Sequence, residues 1–148
     1  MPEVKQSIEI QAPVELVFDI IANHPERQPD WWPPMELQER VSPPPTAVGS
    51  VSRYVYNMMG VKIKGEHEVI EMVYDKSLVV KTTSGLDSTF IFTFAPINGD
   101  TLLTIEVDYE LPGSILGKLL NKLVVEERNE RDLEVGLQNL KAIAEAEA

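Results

Sequence analysis

Hydrophobic and polar positions alternate with a period of two along most of this chain, and a helical period replaces it in two places. Val4, Ile8 and Ile10 share one face of the first stretch while Lys5, Ser7, Glu9 and Gln11 share the other, which predicts a half-buried strand from Val4 to Gln11. Pro13 follows, where the first turn of a helix tolerates it, and Val14, Val17, Phe18 and Ile21 at i, i+3, i+4 and i+7 predict a short amphipathic helix ending near Asn23. A weak strand is expected around Glu36 to Ser42. Val48 to Met59, Val61 to Tyr74, Ser77 to Thr83, Ser88 to Ala95 and Thr101 to Leu111 then read as an antiparallel meander, with turn signals at Gly60, Asp75-Lys76, Ser84-Gly85 and Asn98-Gly99-Asp100. The alternation is clean where Ile63, Gly65, His67 and Val69 oppose Lys62, Lys64, Glu66 and Glu68, and again in Phe90, Phe92 and Phe94 and in Leu103, Ile105, Val107 and Tyr109.

From Ser114 to about Glu145 the helical period returns, with no proline and with Leu116, Leu119, Leu120, Leu123, Leu133, Leu137, Leu140 and Ala144 in register. One long helix is expected to cover the apolar face of the sheet. Strand, helix, many strands and long helix make the class α+β, with about six to seven strands and one domain over residues 1–148. The helix stripe is interrupted by Glu126-Glu127-Arg128-Asn129-Glu130-Arg131-Asp132, so its middle faces either solvent, laced by i,i+4 pairs such as Glu127–Arg131, or a partly wet cavity.

Both tryptophans stand together in Pro29-Asp30-Trp31-Trp32-Pro33-Pro34-Met35. Three prolines within this segment predict a stiff loop without regular structure. Large apolar side chains in such a loop pose a question of purpose, and one answer is that one tryptophan plugs the open end of the sheet as core while the other lies on the surface.

Composition removes whole classes of function. Of 148 residues, 43% are hydrophobic and 25% charged, an ordinary globular balance. The absence of cysteine excludes disulfides, thiolate catalysis and cysteine-ligated zinc, and two histidines, His24 and His67, leave little for another metal site, so neither metal nor cofactor is expected. Thirteen basic against 24 acidic residues give −11, which opposes nucleic acid and anionic lipid surfaces. No apolar run reaches the ~20 residues of a membrane span, and Met1-Pro2-Glu3-Val4-Lys5 lacks the features of a signal peptide. The expected location is the cytoplasm. No serine–histidine–acid pattern, G-x-G-x-x-G or GKS/GKT loop is present, and Gly113-Ser114-Ile115-Leu116-Gly117 places its serine better as a helix N-cap than as a nucleophile.

The element order and several local motifs resemble the START-like, or SRPBCC, superfamily with its helix-grip fold, and in detail its bacterial polyketide cyclase/dehydrase and coenzyme Q-binding-like branch. The motifs are Ala12-Pro13-Val14-Glu15-Leu16-Val17-Phe18, Asp30-Trp31-Trp32-Pro33, Gly99-Asp100-Thr101, Tyr109-Glu110-Leu111-Pro112-Gly113, Leu116-Gly117-Lys118 and Asn139-Leu140-Lys141-Ala142. They mark turns, a helix start and a sheet edge, and so specify fold better than reaction. The resemblance implies a cavity between sheet and long helix for lipids, sterols, quinones, polyketides or plant hormones, in enzymes and carriers alike. It also implies that the tryptophan segment lies at the cavity mouth, with Trp31, Trp32 and Met35 as a rim.

The pleat nominates the remaining candidates. His67 should point inward with Ile63, either as a hydrogen-bonded core histidine or as an acid–base or ligand-orienting group. Tyr54, Tyr56 and Met58 are expected inside and Arg53 outside, since an inward Arg53 would need a buried partner. Phe90, Phe92, Tyr109, Leu120, Leu123 and Val124 are core residues and cavity wall at once. The favoured expectation is a carrier or sensor of a hydrophobic small molecule. The rival is a cyclase or dehydratase using His67 as base with Tyr54 or Tyr56 as donor, and a weaker third is a protein-interaction module with a filled cavity.

Overall fold

In the computed structural model, residues 3–110 and 122–148 are described, leaving aside the side chains of residues 122–124. Strand β1 (Glu3–Ile10) leads into α1 (Val14–Phe18), a π-helical turn (Asp19–Asn23), a 3-10 turn (Pro25–Arg27) and α2 (Gln28–Trp31). Then come β2 (Met35–Arg40), β3 (Val51–Met58), β4 (Val61–Val73), β5 (Ser77–Thr82), β6 (Asp87–Ile97) and β7 (Asp100–Glu110), and finally α3 (Lys122–Glu147). The seven strands form one antiparallel sheet in the order β1-β7-β6-β5-β4-β3-β2, so the helical connection after β1 crosses from one edge to the other. The α+β class and the curled sheet over a long C-terminal helix agree with the hydrophobic pattern. The predicted helix start near Ser114 lies outside the described residues.

Each element follows from its local chemistry. Pro13 sits just before α1 in extended geometry, φ −66° and ψ 151°, and its carbonyl accepts the amides of Leu16 and Val17. On α3, Leu133, Leu137, Leu140 and Ala144 are buried, each leucine worth about 1.5–3 kcal/mol of transfer free energy. Between Val125 and Leu133 the charged stretch turns mostly to solvent, and an i,i+4 ion pair there joins Arg128 to Asp132 at 3.4 Å. Among the described residues, no helix is long and apolar enough to cross a membrane.

One expectation is corrected. The tryptophan segment is not devoid of regular structure: Gln28–Trp31 form a helical turn, closed by the Trp32 amide donating to the Gln28 carbonyl at 2.8 Å. Pro29 stands in its first turn, where a helix has no use for the missing N–H. The Met35 amide then bonds to the Trp32 carbonyl at 3.0 Å, delivering the chain into β2.

Candidate functional site

The concave face of the sheet and α3 enclose a cavity of about 90 Å³. Its apolar wall comes from Trp31 and Trp32, from Met35 on β2, from Tyr56 and Met58 on β3, from Val69, Val80, Phe90, Phe92 and Val107 further across the sheet, and from Leu133 on α3. The two indoles meet edge to face with centroids 6.0 Å apart, and Trp32 continues edge-on to Phe90 at 5.7 Å. Both tryptophans are buried, at 2% and 3% exposure, so neither is a surface residue. Their turn seats against Gly136 of α3, where a Cβ would stand 3.2 Å from the Trp31 carbonyl oxygen and 3.2 Å from the Trp32 ring. Asn139 fastens it from the same helix, donating to the Trp31 carbonyl at 3.3 Å.

Across this apolar hollow runs one polar row. Strand register pairs Arg40 with Ser52, Ser52 with His67 and His67 with Thr82. Thr82 Oγ1 accepts the Ser88 amide at 2.8 Å and donates to the Ser88 carbonyl at 3.1 Å, and Ser88 is registered with Tyr109. Directly paired residues on one face have Cβ atoms about 5 Å apart, so six side chains form a continuous band from β2 to β7, and all six line the cavity.

Hydrogen bonds fix part of that band and leave part open. Gln38, 5% exposed, donates from Nε2 to the Pro25 carbonyl at 2.8 Å, which turns its Oε1 toward His67 Nε2 at 2.6 Å. His67 Nε2–H is thereby the donor, and Nδ1 is left as a buried acceptor without a partner. Burial lowers the His67 pKa to about 4, so the ring is neutral at pH 7. Arg40 donates from Nη1 to Thr46 Oγ1 at 2.9 Å and to the Asn23 carbonyl at 3.3 Å, while its Nε has no partner. Ser88 Oγ and Tyr109 Oη are likewise buried without one, the Asn129 side chain lying beside the Tyr109 hydroxyl without reaching hydrogen-bond geometry.

The tyrosines divide. Tyr54 stacks on His67 with centroids 5.8 Å apart, but its hydroxyl donates to the Ser84 carbonyl at 2.8 Å and accepts the Leu86 amide at 2.9 Å, so it ties down the β5–β6 turn. Gly65, registered opposite Tyr54, makes room for this: a Cβ there would collide with the Ser84 carbonyl and stand 2.7 Å from the tyrosine oxygen. The Tyr56 hydroxyl has its pKa raised by burial, and the Trp32 N–H lies beside it without reaching hydrogen-bond geometry.

Of the residues singled out in the sequence, Trp31, Trp32, Met35, Tyr54, Tyr56, Met58, His67, Phe90, Phe92 and Tyr109 line the cavity. Ile63 shares their face and is buried, but is not part of the wall. Leu120 lies outside the described residues, as do the side chains of Leu123 and Val124. Arg53 points outward and pairs with Glu39 at 3.0 Å. Sequence reasoning passed over Gln38, Arg40, Thr46, Ser52, Thr82 and Ser88. Parity could have found three of them, since Ser52 alternates with Tyr54, Thr82 with Val80 and Ser88 with Phe90. Gln38 and Arg40 are hidden by a register shift between Met35 and Leu37, which leaves Leu37 43% exposed and turns its polar neighbours inward.

Comparison with known proteins agrees with this architecture. The family model described as polyketide cyclase / dehydrase and lipid transport matches residues 1–145. A crystal structure of a Thermus thermophilus protein is 26% identical, with a TM-score of 0.82 and 99% of each chain covered. An aromatase/cyclase from Streptomyces sp. R1128 is 16% identical at a TM-score of 0.76, covering 97% of this chain and 93% of that one. A START superfamily protein from Mycobacterium smegmatis is 17% identical at 0.63, covering 92% of this chain and 98% of that one, and both of these likenesses concern the fold alone. No curated protein sequence matches the chain. With a half-barrel of seven antiparallel strands closed over a cavity by a long helix, and with that family model matched over nearly its whole length, the chain belongs to the polyketide cyclase/dehydrase and lipid transport family.

Proposed function

We propose that this chain binds a hydrophobic small molecule between the sheet and α3, as a carrier or sensor rather than as an enzyme. The supporting observation is the cavity itself. Protein interiors pack to near-crystalline density with few voids larger than a water molecule, whereas here space is left among Trp31, Trp32, Phe90 and Leu133. An apolar void of this kind is the natural seat of an apolar guest. Its volume of about 90 Å³ is below the roughly 300–1,000 Å³ of pockets that hold drug-sized ligands, so a lipid, quinone or polyketide enters by parting the walls.

Acid–base catalysis has less support. Tyr54 spends its hydroxyl on two backbone groups, burial raises the pKa of Tyr56, and His67 at about 4 is a weak base at pH 7. The reading is tested by titrating the protein with a quinone and a medium-chain lipid while following intrinsic fluorescence, whose only indole sources are Trp31 and Trp32. A saturable change that moves in Trp31→Phe and Trp32→Phe is expected. Turnover of a polyketide-like substrate, lost in His67→Gln, would overturn the carrier reading in favour of an enzyme.

A further inference from the structure

The cavity holds one cation and no anion. Among the described residues that line it, Arg40 is the only lysine or arginine, and there is no aspartate or glutamate. The guanidinium is charged at any ordinary pH. Its hydrogen bonds go to two neutral oxygens, Thr46 Oγ1 and the Asn23 carbonyl, and its Nε–H goes to none. The side chain is half-buried with its Nε shielded from solvent, and charge shielded from water without a counter-charge is costly. Scarcity of acid does not explain the gap, because the chain carries 24 carboxylate side chains against 13 basic ones and pairs Arg27, Arg53 and Arg128 with them on its surface. Among the described residues, the cavity cation has no carboxylate partner from that surplus.

Arg40 also stands at the β2 end of the polar row, next to Ser52 by register, while the apolar wall begins one inward position along β4 and β5 at Val69 and Val80. A guest lying across the sheet would meet a cation at one end and hydrocarbon over the rest of its length. Resting on the hydrophobic-ligand reading, the geometry points to a narrower class: the guest is an apolar carboxylic acid whose carboxylate pairs with Arg40, with its hydrocarbon under Val69, Val80, Phe90 and Trp32. A guanidinium fork suits a carboxylate in a way that it does not suit an alcohol or an ester. A hydroxyl further along such an acid has the bare Nδ1 of His67 and the free Oγ of Ser88 to meet.

The test compares matched ligands on the full chain at pH 7, below their aggregation concentrations, by calorimetry and tryptophan fluorescence. Dodecanoic acid, methyl dodecanoate and dodecanol share a tail and differ in the head, while 1-naphthoic acid and its methyl ester put the same contrast on a ring. At least one acid should bind tenfold or more tighter than its ester. Arg40→Met should erase that preference, and Arg40→Lys should keep part of it. If Arg40→Met does not fold, the wild-type contrast and Arg40→Lys decide. Equal binding of acid and ester, or a preference that survives Arg40→Met, overturns the carboxylate inference and leaves the cavity reading standing. Failure of every ligand to bind wild-type protein defeats both.

Discussion

Thr82, Ser88 and Tyr109 occupy the inner face of β5, β6 and β7, and four residues away on the same face of the same strands stand Leu78, Phe92 and Ile105. The two levels are about 13 Å apart and share strand and parity. At the Leu78 level these three inward side chains are hydrocarbon. At the Thr82 level hydroxyls face inward, and two of them, Ser88 Oγ and Tyr109 Oη, bond to nothing. Buried polar groups ordinarily find partners, so the second level is organised for something other than stability. One end of the sheet holds the fold; the other keeps hydrogen-bonding capacity in reserve.

The sharpest way to break this contrast is to hollow out the apolar level. Phe92→Ala should cost about 3–5 kcal/mol in urea unfolding, by lost transfer energy plus the cavity left behind. A cost under about 1 kcal/mol would mean that this level does not hold the fold. Next comes pH. The His67 pKa is lowered by burial to about 4 from 6.5, so stability is fully present above pH 6.5 and falls as pH drops toward 4, because the unfolded imidazole takes up a proton that the buried one refuses. The difference between wild type and His67→Gln should change by on the order of 3 kcal/mol over that window. Parallel stability curves for the two proteins would contradict a buried neutral ring.

Smaller effects sharpen the contrast within the polar residues. Tyr54→Phe orphans the Ser84 carbonyl and the Leu86 amide and should destabilise by about 1–3 kcal/mol, measured by chemical denaturation. Ser88→Ala removes a hydroxyl that bonds to nothing and should move stability by less than about 0.5 kcal/mol in the same assay. Were Ser88→Ala as costly as Tyr54→Phe, the row would be a structural network and not spare capacity.

The sequence carried the sheet well because parity is a local signal: Phe90, Phe92 and Phe94 or Leu103, Ile105 and Val107 declare their face without help from the rest of the chain. The cavity was harder, since its polar band depends on register between strands. Ser52, His67 and Thr82 lie 15 positions apart in succession and become neighbours only once β3, β4 and β5 are paired. Arg40 was harder still, as a single bulge on β2 decides whether it faces solvent or the cavity. The helical turn at Gln28–Trp31 was obscured by a rule applied too broadly, because proline forbids the interior of a helix and not its first turn.

The modest volume of the cavity governs tempo as well as fit. A space of about 90 Å³ holds a few water molecules, so a larger guest waits for the walls to separate before it can settle. On the proposed function, uptake would proceed at the frequency of that opening, and the observed rate would climb with ligand concentration only until it reached this ceiling. The same closure works in reverse. The tryptophan turn packs against Gly136, so for a guest held as proposed, escape would require a second opening and occupancy would outlast what contact area alone gives.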